Sequence, residues 1–210
     1  MRRAALLLVA LMAGCALTRK SSPMEVRYFT PARPGASSAA SPPLAGPAPA
    51  VPARLQLRLG RVDGASYLTQ KMAYRDSANE VGYYETLRWT ESPEAFVRRA
   101  LERALFEQHG VQEVVSGVAP ALEIEVTAFE EVRAPRHVVR VELTWKLRDH
   151  RTVLVQRTVV VERPVADAAD GELGNVVANA TGEALAEAVE AVVAGVVTEL
   201  NRVTPAAGQE

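Results

Sequence analysis

The chain has 210 residues, with 24 basic and 25 acidic side chains and a net charge of −1. That length makes one domain the expectation, and the even charge argues against the basic surface a nucleic-acid binder needs. Three histidines and one cysteine are too few and too scattered for the usual protein metal sites, and a single cysteine excludes an intramolecular disulfide.

Arg2 and Arg3 supply positive charge, Ala4 to Met12 is an unbroken apolar run, and Ala13-Gly14-Cys15 closes it with small residues and a thiol. A charged start, a short apolar core and a small-residue cut site mark a secretion signal, and the run is too short for a membrane span of roughly 20 residues. Leu11-Met12-Ala13-Gly14-Cys15 resembles the lipobox of bacterial lipoproteins, with Met12 where that motif usually has Leu. The resemblance implies cleavage after Gly14, lipid on Cys15 and anchoring by several acyl chains. Ala16 stands where an Asp would retain a Gram-negative lipoprotein at the inner membrane, which implies the outer membrane and its periplasmic face.

Residues 15–24 then read as a tether, and Glu25 to Thr30 (EVRYFT) as a short strand. Residues 31–53 carry seven of the chain's thirteen prolines among Ala, Ser and Gly, the composition of an extended linker or loop. Two geometries follow. If the strand docks on the body, the free tether is about eight residues, roughly 30 Å at full extension. If it does not, the tether reaches Ala53.

Beyond Ala53, Leu55, Leu57 and Leu59 alternate with polar residues as in a half-buried strand. Lys71 to Arg75 and Val81 to Leu87 read as two more strands, joined by a turn at Asp76 to Glu80. Ser92-Pro93-Glu94 starts a helix, whose apolar stripe is Phe96, Val97, Ala100, Leu101, Ala104 and Leu105 and which Gly110 stops. Leu122, Ile124, Val126 and Ala128 alternate with Glu123, Glu125 and Thr127; Val139 to Leu147 alternates likewise, with basic residues on its polar side. These two strands predict a hairpin with acid facing base. Val153 to Val161 returns through a turn at Asp149-His150-Arg151. Arg157 falls on its apolar face, which predicts a place at the rim or a bulge. A long helix, Leu173 to Asn201, buries Leu185, Val189, Val192, Val193, Val196 and Leu200, and its many alanines allow close packing. Residues 203–210 read as a disordered tail. The fold class is therefore α/β with two main helices.

Within residues 59–94, Tyr67-Leu68, Tyr74-Arg75-Asp76, Tyr83-Tyr84, Arg88-Trp89 and Ser92-Pro93-Glu94 follow one another in order. With the lipobox and the Tyr28-Phe29 strand, this series resembles the ABC-type transport auxiliary lipoprotein family, whose best-known member is paraquat-inducible protein C. The resemblance spans essentially the whole mature chain and makes residues 25–202 its domain. It implies an α/β sandwich around a mixed, largely antiparallel sheet. It also implies partnership with an inner-membrane ABC permease and ATPase and with a periplasmic MCE-type (mammalian cell entry) protein, in moving lipids between membranes and maintaining the envelope.

Tyr74, Tyr83, Tyr84 and Trp89 either pack between sheet and helix or present a partner surface. Tyr83 and Tyr84, adjacent in a strand, point to opposite faces. Arg75 and Asp76 are expected to pair with one another or to fix the turn. No catalytic residue is assigned: His109, His137 and His150 lack a nucleophile in a motif context, and no Gly-rich phosphate loop is present. No cofactor and no enzyme activity are expected. A second copy of the chain is a further candidate partner, and regulation of a cell-wall assembly through protein contact is the alternative role.

Overall fold

A computed structural model describes residues 24–32, 55–169 and 171–203. The leader of residues 1–14, Cys15, the tether up to residue 23, residues 33–53 of the Pro-rich insert and the tail from residue 204 lie outside the described residues. The described chain runs β1 (Arg27–Phe29), β2 (Gln56–Gly64), β3 (Lys71–Ser77), β4 (Glu80–Trp89), α1 (Pro93–Glu102), β5 (Gln112–Glu113), β6 (Ala121–Val132), β7 (Val138–Arg148), β8 (Val153–Pro164) and α2 (Leu173–Val203). It forms an α/β sandwich: one mixed sheet of eight strands, with α1 packed over β2 and β6 and α2 over β7 and β8.

Alternation builds the centre of that sheet. On β7, Val139, Val141, Leu143, Trp145 and Leu147 are all buried, while the residues between them are partly exposed. β6 pairs with β7 antiparallel along its whole length, from Ala121↔Arg148 to Val132↔Val138. The expected acid–base face forms in part: Glu123 stands opposite Lys146 and its carboxylate meets Arg148 at 3.1 Å. Arg140 instead turns to Glu162 on β8 at 2.7 Å. Asp149 organises the β7–β8 turn by accepting the backbone N–H groups of Arg151 and Thr152, both at 2.7 Å. Those bonds, Thr152's foremost, hold its carboxyl below the usual carboxylate range.

The other side of β6 forks. Residues 121–126 pair in parallel with β2, and residues 130–132 pair in parallel with β3. A register shift between Val126 and Ala128 marks the branch point. The β2 branch ends in the two-residue β5, and the β3 branch continues through β4 to β1. β1 lies parallel to β4, with Arg27 opposite Leu87 and Phe29 opposite Trp89. The N-terminal strand therefore docks on the body.

Three small residues of α2 make that docking possible. Gly174, Ala178 and Gly182 recur every fourth residue and so share one helix face. A side chain at Gly174 would meet the Phe29 ring, and a Cβ at Gly182 would stand 2.5 Å from Ala32 N and 2.6 Å from its carbonyl carbon. Ala32 N–H donates to Ala178 O at 3.2 Å. Farther along the same helix, Gly195 admits the Trp145 ring; a Cβ there would lie 2.7 Å from it. At 1.5 Å per residue the helix of 31 residues is about 46 Å long, and it buries the stripe expected from the sequence.

Several expectations change in detail. Asp76 belongs to β3, and the turn narrows to Ala78-Asn79. The first helix is α-helical only to Glu102 and then widens into a π-helical turn, Arg103–Gln108, before Gly110 at φ 65°. The wider turn keeps Ala104 and Leu105 buried and brings Arg103 and Gln108 alongside α2. No bulge sits at Arg157, which pairs with Trp145 on the edge strand β8. Its guanidinium reaches Glu199 of α2 at 3.2 Å, a carboxylate shared with Arg202 at 2.9 Å.

Candidate functional site

The signature residues converge on the fork. Glu130 and Glu131 are adjacent on β6, so their side chains leave opposite faces of the sheet, and both are buried, at 4% and 2% exposure. Each is met by its own set of partners.

Glu130 accepts two bonds from Arg75, Nε to Oε1 at 2.7 Å and Nη2 to Oε2 at 3.1 Å. This fork-to-fork geometry is the strongest form of the carboxylate–guanidinium pair. Arg75 also donates to Ala78 O at 3.0 Å, which ties the β3–β4 turn to the pair. Tyr67 hydroxyl lies within reach of both Thr127 O (2.9 Å) and Glu130 Oε2 (3.1 Å). Tyr83 hydroxyl in turn donates to Tyr67 O at 2.8 Å.

Glu131 accepts the Tyr84 hydroxyl on Oε2, and His137 Nε2 lies 2.6 Å from Oε1. Arg133 approaches the same carboxylate at 3.9 Å and binds Asp76 Oδ1 at 3.3 Å. Its guanidinium sits 3.5 Å from the Tyr74 ring centroid and 5.0 Å from that of Tyr84. Tyr74 and Tyr84 meet edge to face at 5.1 Å, and Tyr74 lies across Gly82, where any side chain would strike its ring.

Of the two roles expected of Arg75 and Asp76, pairing with one another does not occur, while Arg75 does tie the turn through Ala78 O. As strand neighbours they point apart, Arg75 to Glu130 and Asp76 to Arg133. Tyr83 and Tyr84 diverge as the alternation requires. Trp89 stands away from this network, at 2% exposure, in a cluster with Phe129 (centroids 5.4 Å apart) and Phe96 (6.2 Å). It is core, and its Nε1 has no hydrogen-bond partner among the described residues. The sequence reading missed Glu130, Glu131 and Arg133. The signal was there: an acidic doublet inside an alternating strand forces one carboxylate to each face.

The network joins β3, β4, the β6–β7 connection and the Tyr67 loop on the β3 branch of the sheet. Burial, with Glu130 second, pushes the Tyr67 hydroxyl up to about 12, and burial also raises Tyr84. For Tyr67 the unfolded value is about 10. Its contribution is therefore complete below pH 10 and lost as pH rises through 12. The Tyr67→Phe variant should show a shallower loss of stability between pH 10 and 12 in urea titrations, and a slope equal to that of the parent would exclude this origin.

A second feature lies between the helices. A cleft of about 700 Å³ runs between α1 and α2, with residues Thr30 to Ala32 along one end. Its floor and walls include Phe96, Ala100, Ala104, Leu185, Ala186 and Val189, and Arg99, Arg103, Glu91 and Glu190 also line it.

Residues 38–200 match the family model described as the ABC-type transport auxiliary lipoprotein component. The chain belongs to this family. The auxiliary lipoprotein is also similar in fold to protein XCC0632 from Xanthomonas campestris (TM-score 0.62, 21% identity, covering 70% of this chain and 86% of that one). An uncharacterised protein matches at TM-score 0.59 and 13% identity, over 82% and 99% of the two chains. Protein CT253 from Chlamydia trachomatis matches at 0.51 and 9%, over 70% and 98%. No curated protein matches by sequence. At these identities the solved structures speak for the fold, and the family assignment rests on the residue 38–200 match.

Proposed function

We propose that this lipoprotein is the non-catalytic, outer-membrane-side auxiliary of an ABC/MCE-type lipid transport system, anchored through lipid on Cys15 and serving envelope integrity. The observation that carries the reading is the family match over residues 38–200, since that family is defined by its attachment to ABC-type transport. Docking of β1 supports it by shortening the tether: the chain from Cys15 to the first docked residue, Arg27, is about a dozen residues, or roughly 40 Å extended. The body then stands close to the membrane that holds it. A short tether favours the end-piece of a trans-envelope path over a regulator that reaches across the periplasm.

Gentle solubilisation of membranes followed by capture of the full lipidated chain should recover an MCE-family protein together with an ABC permease and its ATPase. Recovery of cell-wall synthases alone would sink the proposal. Replacing residues 34–52 by a Gly/Ser stretch of the same length should leave envelope function intact under this reading, because the docked segment ends at Ala32.

A further inference from the structure

We propose that the cleft between α1 and α2 holds one acyl chain of an anionic bilayer lipid. The inference rests on the lipid-transport reading and names what the body itself would hold. Three observations carry it.

The first is shape and chemistry. The cleft's volume of about 700 Å³ falls within the range of ligand pockets. Small residues leave it open: Ala100 and Ala104 on the α1 side and Ala186 on the α2 side stand where larger side chains would have closed the helix pair. Phe96, Leu185 and Val189 complete an apolar trough. That apolar strip matches a hydrocarbon chain, and the polar residues of the lining, Glu91, Arg99, Arg103, Gln108 and Glu190 among them, leave it an amphipathic site.

The second is the balance of charge around it. Arg99 pairs with Glu91, and Glu190 lies 3.1 Å from His109. Among the described residues Arg103 is the one charged lining residue whose side chain has no hydrogen-bond or ion-pair partner. A guanidinium beside an apolar trough is the complement of a phosphate joined to an acyl chain.

The third is the backbone. Arg103, Ala104 and Gln108 all belong to the π-helical turn and all line the cleft. Such turns are rare and gather at functional sites. Here the turn puts Arg103 in the lining of the cleft between α1 and α2.

Photolabelling tests the assignment with the full lipidated chain in phosphatidylcholine vesicles. One set carries phosphatidylglycerol with a diazirine in its acyl chain, and the other carries diacylglycerol with the same chain. Adducts should concentrate on peptides containing Phe96 to Ala104 and Gly182 to Val189. Labelling by phosphatidylglycerol should exceed that by diacylglycerol about tenfold, as one charge-assisted hydrogen bond to the phosphate allows. Arg103→Gln should level the two probes. Ala186→Trp, which fills the trough, should remove both, and Ala100→Leu does the same from the opposite wall should the first variant fail to fold.

Adducts spread evenly over the surface, or undiminished in the filled variants, would overturn the assignment. So would labelling that appears only after residues 34–52 are replaced by a Gly/Ser stretch of the same length, which would make the chain's own segment the occupant. Absent cleft labelling with the MCE protein still recovered removes this inference alone. Intact labelling without that recovery removes the transport reading alone.

Discussion

Replacing Arg75 with methionine should lower the thermal midpoint by about 10 °C. Glu130 is left with a side chain only 1% exposed and with its guanidinium partner gone. Breaking one half of a buried pair costs roughly 3–5 kcal/mol, because the remaining charge stays desolvated. In a domain of this size each kcal/mol moves the midpoint by about 2–4 °C. The double variant Arg75→Met/Glu130→Met should recover most of the loss, since apolar replacement of a whole buried pair is often neutral. Differential scanning calorimetry reads both. A single-variant loss of only a degree or two would mean that the pair is hydrated and that the fork is held by something else.

Gly182→Ala should destabilise the protein although alanine is the better helix former by about 1 kcal/mol. The added Cβ meets the backbone of Ala32, at 2.5 Å from its nitrogen, and backbone cannot rotate away as a side chain can. The expected relief is undocking of residues 27–32, which takes Phe29, now at 8% exposure, out of its place over Gly174. Burying such a ring contributes roughly 1.5–3 kcal/mol. Trypsin should then cut after Arg27 at least tenfold faster while the rest of the body stays resistant, if opening of the segment follows a change of about 1.4 kcal/mol or more. A Gly182→Ala variant that is more stable than the parent and equally resistant at Arg27 would show that the contact yields without undocking.

Much of this architecture was legible before any coordinates. Strict alternation in Leu122 to Ala128 and Val139 to Leu147 names a strand and its buried face, and Ser92-Pro93-Glu94 names a helix start. Alternation does not name the partner on the far side of a strand. It therefore could not show that β6 has two, β2 for its first half and β3 for its last. The same limit hid the fork residues. Arg75 and Asp76 read as a local pair or as a turn clamp because they are neighbours in sequence, yet strand geometry aims them apart, and only Arg75 ties the turn. Glu130 and Glu131 broke the pattern in plain view, and a broken pattern was the trace of a buried polar network. The alanines of α2 announced close packing, but not that Gly174 and Gly182 make room for the segment that begins with Arg27. Trp89, weighed as core or interface, is core, and Asp76 is the exposed member of the Tyr-Arg-Asp run.

The three-residue β1 has one more consequence, which concerns mechanics. It is held by a short parallel pairing with β4, by the Phe29 ring and by a few bonds from Thr30 to Ala32, while the sheet behind it is far larger. Tension applied through the N-terminal chain would reach these contacts before any other. Their release would free residues 27–32, move the first fixed point of the chain to Leu55 and lengthen the leash by roughly 90 Å at full extension with the body still folded. The docked strand is then a slip joint, seated when the body lies near its anchor point and paying out chain when the two are pulled apart.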